Sequence, residues 1–329
     1  MFSLYKISLL LFLCSFFLCY VLTPLARKLA LKFNILDTPS ERKIHQSLIP
    51  RFGGIALFLS FCVTLTLLYL IISFHFLTIG KPFLFSFNEV KLFWLKTALY
   101  LIGATLIVFI GILDDIKNID FRLKLLGQTL AAAIVILGGS ELSLTPWGFL
   151  NTLLSFLWII GLTNSFNLLD NMNGLSGGIA AITIFFLITI SYFFKFYLLT
   201  VFLTISLGCL IGFLPYNFPK AKIFLGDAGS LFIGYSLAVY SSWLFTYLSQ
   251  YHFSSFQIFP GIVLLLSIPL VDTLTVISIR LKNHKPIYIG DMNHLSHQLV
   301  RGGFSTTGAV SILFISSFLM GSLGLFFVL

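Results

Sequence analysis

Charge is scarce in this chain. Only 9% of its residues are Asp, Glu, Lys or Arg, and just 11 are acidic, where a soluble domain carries about 25% charged residues. That deficit excludes an ordinary soluble protein, and the scaling of domain number with length does not apply. Cysteine is rare too. Cys14, Cys19, Cys62 and Cys209 all lie within apolar runs. None stands in a CxxC or Cys/His spacing, which points to reduced core residues rather than a zinc site. No soluble domain, linker or low-complexity tail is evident, and no internal repeat suggests an inverted-repeat transporter. Lys6 precedes an apolar stretch as in a signal peptide, but no small-x-small cleavage site follows.

What the chain does have is long hydrophobic runs, with 58% of residues hydrophobic. A membrane-crossing helix needs about 20 such residues. Ten stretches qualify, near 3–25, 54–78, 97–113, 124–139, 149–165, 177–194, 197–214, 230–249, 258–279 and 305–328. They predict an all-α, polytopic integral membrane protein, with a single membrane-embedded domain over residues 1–329. The alternating ten-residue segments of an outer-membrane barrel are missing.

The net charge of +9 resembles a nucleic-acid signal until its distribution is followed. With ten spans, 15 of the 20 basic residues fall in loops on one side. The positive-inside rule makes that side cytoplasmic and puts both termini outside. No nucleic-acid partner is expected. The acids sort the same way, although that rule does not require it. Asp37, Glu41, Asp114, Asp115, Asp120, Asp170, Asp227 and Asp291 fall in the same loops, and Asp272 near the same end of its span. The expected active surface is therefore the cytoplasmic face.

Five stretches on that face carry the chemistry. In "GILDDIKNIDFRLKLLGQ", Asp114 and Asp115 end a helix, where the dipole disfavours anions by about 0.3–1 kcal/mol each. Such a pair wants a cation, either Mg²⁺ or Lys117 or Lys124. In "GLTNSFNLLDNMNGLSGG", Asn164, Asn167, Asp170 and Asn173 recur every three residues; amides suit a base or sugar, a carboxylate a metal or proton. In "FPKAKIFLGDAGSLFIGY", glycines beside Asp227 permit close approach to phosphate at a helix start. Asp227 could equally be the N-cap of that helix. In "DTPSERKIHQSLIPRFGG", Arg42, Lys43 and His45 form a cationic cluster suited to phosphate, or to the anionic lipids of the membrane itself. In "KPIYIGDMNHLSHQLVRGGFS", Asp291, His294 and His297 lie three apart; a zinc site there lacks a third clear ligand and the H-E-x-x-H pattern. Together, acids, bases and glycines on one face suit phosphate chemistry with a hard divalent cation.

These five loops, in this order and over essentially the whole chain, resemble the polyprenyl-phosphate N-acetylhexosamine-1-phosphate transferase family. The likeness rests on D-x-P-x-x-R-K-x-H…G-G (Asp37 to Gly54), the Asp-Asp loop, N-x-x-N-x-x-D-x-x-x-G-L, G-D-x-G-S and the last His-containing loop. It implies attack by a polyprenyl phosphate on a UDP-N-acetylhexosamine, giving polyprenyl-diphospho-sugar and UMP, in the bacterial cytoplasmic membrane. Asp114 and Asp115 would engage or deprotonate the lipid phosphate, and Asp227, with Asp170 near it, would hold Mg²⁺, or Mn²⁺ in its place. Asn173, standing where many members carry Asp, would face the uracil, with Asn164 and Asn167 lining the same site. Lys43, His45, Lys124, His294 and His297 would hold phosphates. Relatives commonly form dimers, so a homodimer is compatible. Relatives using UDP-GlcNAc tend to show H-x-H-H in the last loop, where this chain has Ser296. The three consecutive histidines of enzymes using UDP-MurNAc-pentapeptide are missing, which favours GlcNAc. The competing classes are an ion-coupled transporter, which would put acids on discontinuous helices near the bilayer midplane, and a non-catalytic scaffold, which would be expected to lose the four acids.

Overall fold

The computed structural model describes residues 4–37, 48–79, 87–251, 253–286 and 292–329. Its helices are α1 (Leu4–Lys32), α2 (Gly53–Ile79), α3 (Phe87–Lys117), α4 (Phe121–Leu137), α5 (Gly148–Leu169), α6 (Leu175–Phe193), α7 (Tyr197–Asn217), α8 (Gly226–Ser249), α9 (Ser255–Leu265), α10 (Ser267–Lys282), α11 (Leu295–Arg301) and α12 (Thr306–Val328). One two-stranded antiparallel sheet pairs β1 (Leu36–Asp37) with β2 (Ile49–Pro50), Asp37 opposite Ile49. The chain is thus an all-α polytopic membrane protein. Every one of the ten expected segments coincides with a helix or, once, with a bent pair. Among the described residues eight helices are long and apolar enough to cross a membrane. The α9–α10 pair makes a ninth, and α4 is the shortest of the ten segments at 17 residues.

The stretch 258–279, expected as one span, is broken: α9 and α10 meet at 78°. Pro269 is the physical reason. It has no N–H for the carbonyl of Leu265, four residues back, and its ring crowds that oxygen. The Thr183 hydroxyl of α6 donates to that carbonyl instead, at 3.1 Å. Borrowed donors of this kind are what make a break tolerable inside a membrane.

The core is organised around α8, which is buried along almost its whole length and packs on α2, α3, α5 and α6. Inside lipid, polar side chains must satisfy one another. The Tyr100 hydroxyl of α3 accordingly shares hydrogen bonds with Ser236 (2.7 Å) and Tyr240 (2.9 Å) of α8, and Tyr240 with Ser206 of α7 (3.0 Å). The outer helices α1 and α12 turn apolar side chains outward, among them Phe17, Val21, Ile315 and Phe326, as lipid contact requires.

Alternating directions bring the ends of α3, α5 and α7 to the same end of the bundle as the starts of α4, α6 and α8. Two glycines let the backbones touch there. A Cβ on Gly54 of α2 would run into the backbone of α8 at Gly229, and one on Gly111 of α3 into it at Ala228. Small residues at such crossings are how membrane helices approach closely. Gly111→Ala should therefore cost about 1–3 kcal/mol through overpacking, read as a lower thermal midpoint in detergent. Gly161→Ala, whose Cβ meets nothing within 4 Å, should not lower it. Equal midpoints would contradict the close approach.

Candidate active site at one end of the bundle

The α3–α4 turn is made by Asn118, in the left-handed region at φ 48°, and by Asp120, whose carboxylate caps α4 by accepting the Arg122 N–H at 2.7 Å. This turn carries Lys124 back towards the end of α3. Its ammonium donates to Asp114 at 2.6 Å and to Asp227 of α8 at 2.5 Å. Asp114 also accepts the Ile119 N–H at 2.9 Å. Lys124 is thus a single cation shared by two carboxylates from different helices.

Asp115 does something else. Its two oxygens accept the backbone N–H groups of Asp227 (2.9 Å) and Ala228 (3.2 Å). These belong to the first turn of α8, where N–H groups have no partner within the helix and Leu225 supplies no side-chain cap. The alternative that Asp227 caps its own helix is therefore corrected: Asp227 lies in the first turn, and the cap comes from Asp115 across the interface. Gly226 makes room for it. At φ 69° it adopts a conformation that favours glycine, and a Cβ there would collide with the Asp115 carboxylate.

Beside this junction opens a cavity of about 360 Å³, lined by Asp115, Asp170, Asp227, Arg51, Asn167 and His297 among others. Arg51 arrives by backbone pairing. The Phe224 N–H donates to the Pro50 carbonyl (2.8 Å), and Gly53 and Gly54 donate back to Phe224 (2.9 Å) and Leu225 (2.8 Å). The guanidinium then forms an ion pair with Asp37 of β1. Asp170 ends α5. Burial, with the charge of Asp227 added, pushes its carboxyl up to about 7, and Arg51 pulls the other way. No hydrogen bond supports that carboxylate among the described residues. Four carboxylates (Asp37, Asp115, Asp170, Asp227) thus face the cavity against one guanidinium among the described residues. No group of three or more His, Cys, Asp or Glu among them could hold a metal ion alone.

The other expected residues divide. Asn167 and Asn173 line the cavity, donating to Ser230 (2.9 Å) and to the Pro219 carbonyl (3.2 Å). Asn164 does not reach it. Its amide is paired with Gln128 of α4, donating at 2.6 Å and accepting at 3.2 Å. His297 lines the cavity, whereas His294 lies behind it, 2.7 Å from Asp272. Lys43, His45 and Asp291 lie outside the described residues. Sequence reasoning missed Arg51, whose signal was its place between Pro50 and the Gly53–Gly54 pair, and also Asp272 as a partner for His294.

Asp114 and Asp115 should separate on mutation. Asp115→Ala strands two N–H groups at a buried helix start, which costs about 1–3 kcal/mol. Faster amide exchange in the first turn of α8 and a lower thermal midpoint should follow. Asp114→Ala leaves that turn capped, and its exchange there should stay near wild type; the same acceleration in both variants would refute the separate roles.

Residues 97–245, which hold Asp114, Asp115, Lys124, Asp170 and Asp227, match the family model for glycosyl transferase family 4. The chain is 30% identical over 317 residues to a Bacillus subtilis (strain 168) protein named probable undecaprenyl-phosphate N-acetylglucosaminyl 1-phosphate transferase, covering 94% of this chain and 81% of that relative. It is 27% identical to the undecaprenyl-phosphate alpha-N-acetylglucosaminyl 1-phosphate transferase of Escherichia coli (strain K12), covering 91% and 78%. It is also 27% identical to the decaprenyl-phosphate N-acetylglucosaminephosphotransferase of Mycolicibacterium smegmatis, covering 90% and 76%. A likeness that runs nearly end to end, and includes the acids gathered at this junction, is more than a shared membrane composition: the chain belongs to glycosyl transferase family 4.

Proposed function

We propose that this chain transfers N-acetylglucosamine-1-phosphate from a UDP-activated donor to a polyprenyl phosphate of the undecaprenyl type, releasing UMP. The carrying observation is that Asp170, Asp227 and Arg51 share one cavity at a membrane-helix end, in a chain 30% identical to a relative named for this transfer. A volume of about 360 Å³ falls within the roughly 300–1,000 Å³ of small-molecule sites. The basic loops make this end cytoplasmic, so a soluble nucleotide sugar and a lipid phosphate could meet there in a bacterial inner membrane.

Among the described residues, four carboxylates against one guanidinium would repel a diphosphate. Asp170 and Asp227 offer oxygen donors, and among the described residues the Asp170 carboxylate carries no hydrogen bond; both fit a hard cation such as Mg²⁺. Such an ion is typically held by one or two carboxylates plus substrate phosphates, so two carboxylates suffice where the substrate supplies the rest. Asp170 and Asp227 are the residues that would hold it, and bound there it would neutralise the diphosphate and polarise the phosphorus under attack. Arg51 binds a phosphate oxygen, steadied by Asp37. Lys124 and Asp115 hold Asp227 by its side chain and its backbone. Asn173 and Asn167 offer amides to the nucleoside or sugar. A lipid phosphate oxygen forms the new bond to the β-phosphorus as the bond to UMP breaks. Phosphoryl transfer asks the protein chiefly for positioning and charge neutralisation.

UMP release by the detergent-purified protein tests this, with undecaprenyl phosphate, Mg²⁺ and UDP-N-acetylhexosamines offered singly. UMP should appear from UDP-GlcNAc only when lipid is present, stop with a chelator and return with Mg²⁺ or Mn²⁺. No UMP from any donor, in folded protein, would overturn the proposal. Asp170→Asn and Asp227→Asn should each lose about 100-fold or more in kcat. Arg51→Ala should raise the donor KM by about tenfold or more, the worth of a hydrogen bond to a charged group, and Arg51→Lys less. An unchanged KM in Arg51→Ala would remove Arg51 from the donor site.

A further inference from the structure

Asp272 sits within a broken membrane span, where an acid ordinarily marks a transport pathway. Here it is 1% exposed on α10, six residues beyond the break at Leu266. Both of its oxygens are used. Oδ2 lies 2.7 Å from Nδ1 of His294, itself buried, and Oδ1 accepts the Leu295 N–H at 2.7 Å. A buried carboxylate is costly unless so bonded. Asp272 therefore serves the segment that starts α11, not a pathway.

A second bond holds α11 to another part of the fold. Ser296, also buried, donates to Oδ1 of Asn171 at 2.6 Å. Asn171 belongs to the corner between α5 and α6, adjacent in sequence to Asp170. With seven residues, α11 is too short to persist by its own hydrogen bonds, so its place must come from such tertiary contacts. One turn beyond His294, with ring centroids 6.1 Å apart, His297 meets the cavity wall. Ser296 occupies the position where the family resemblance would put an imidazole, and in this chain that position is spent on Asn171.

We propose that Asp272 and Ser296 are positioning residues for the transfer: they clamp α11 to α10 and to the α5–α6 corner, and so set His297 against the phosphates of the bound donor. This rests on the proposed reaction and adds to it two residues that never touch substrate. A general structural role would make the same contacts but would not act through one histidine.

The test combines kinetics with amide exchange. UMP release from UDP-GlcNAc would be measured for Asp272→Ala, Asp272→Asn, Ser296→Ala and His297→Ala, and for the first and third each combined with His297→Ala. His297→Ala should lose about 100-fold in kcat/KM, and Asp272→Ala about 10–100-fold, as partners behind a functional residue do. Acting through His297, Asp272→Ala should cost the His297→Ala protein less than about threefold more, because coupled residues are not additive. Losses that multiply, or wild-type kinetics in Asp272→Ala, overturn the proposal. Asp272→Asn keeps an acceptor for the Leu295 N–H and should recover part of the loss, which guards against simple misfolding. Independently of turnover, exchange across residues 295–301 should quicken about tenfold in Asp272→Ala and Ser296→Ala, as loss of local protection predicts, while residues 231–248 stay protected. Unchanged exchange overturns the clamp. A wild-type protein that releases no UMP overturns the reaction instead, and exchange alone then decides the clamp.

Discussion

The described residues at the polar end of this molecule are arranged around the first turn of α8. Its N–H groups have no partner within the helix, and they open into a protein interior where an unmet donor is expensive. Asp115 meets two of them from α3. For that carboxylate to arrive, Gly226 must lack a side chain, and Gly111 and Gly54 must let α3 and α2 lie against Ala228 and Gly229. The same contact fixes the backbone of Asp227. A helix start that needed an anion has recruited one from a neighbour, and in doing so has pointed its own aspartate at the cavity.

Among the described residues, electrostatics at this junction then becomes a problem of few cations. Lys124 serves Asp114 and Asp227 together, and Arg51 is drawn to Asp37. Among the described residues Asp170 receives neither a hydrogen bond nor an ion pair, and its carboxyl rises to about 7. Folding alone would favour removing such an acid, since a carboxylate in this setting contributes little unless something positive comes to it. Under the proposed reaction, this imbalance among the described residues would be met by an incoming divalent cation. In that reading the acids supply the metal's charge partners, and the metal with Arg51 supplies those of the diphosphate.

Much of this was legible in the sequence, for identifiable reasons. Lipid forces each span to be continuously apolar, so all ten segments could be located as helices. Among the described residues, though, only eight of them, with the bent α9–α10 pair as a ninth, are long and apolar enough to cross a membrane. Charges are so few that Asp114, Asp170 and Asp227 stood out at the span ends. The errors are equally physical. The three-residue spacing of Asn164, Asn167, Asp170 and Asn173 invited one stripe, but a helix of 3.6 residues per turn drifts about 60° with each such step. Asn164 accordingly turns to Gln128 on α4, while Asn167 and Asp170 reach the cavity. The partners of Asp115 were invisible because backbone N–H groups leave no mark in a sequence. Pro269 was in plain view, yet a proline among apolar residues reads as a tolerated kink until its missing hydrogen bond is traced to Leu265 and Thr183.

That break also reconciles the one acid that would have favoured transport. A discontinuous helix bearing a buried aspartate is what an ion-coupled carrier would display. The difference lies in where the carboxylate is directed. In a carrier it faces a route through the membrane and must be able to exchange partners. Both oxygens of Asp272 are engaged at the start of α11, one with His294 and one with the Leu295 N–H. The bend at Leu266 sets α10 at 78° to α9, so that α9 packs on α12 while α10 packs on α5. Its aspartate is thereby brought to the loop that carries His297. Breaking the span here moves a side chain to the site rather than an ion through the bilayer.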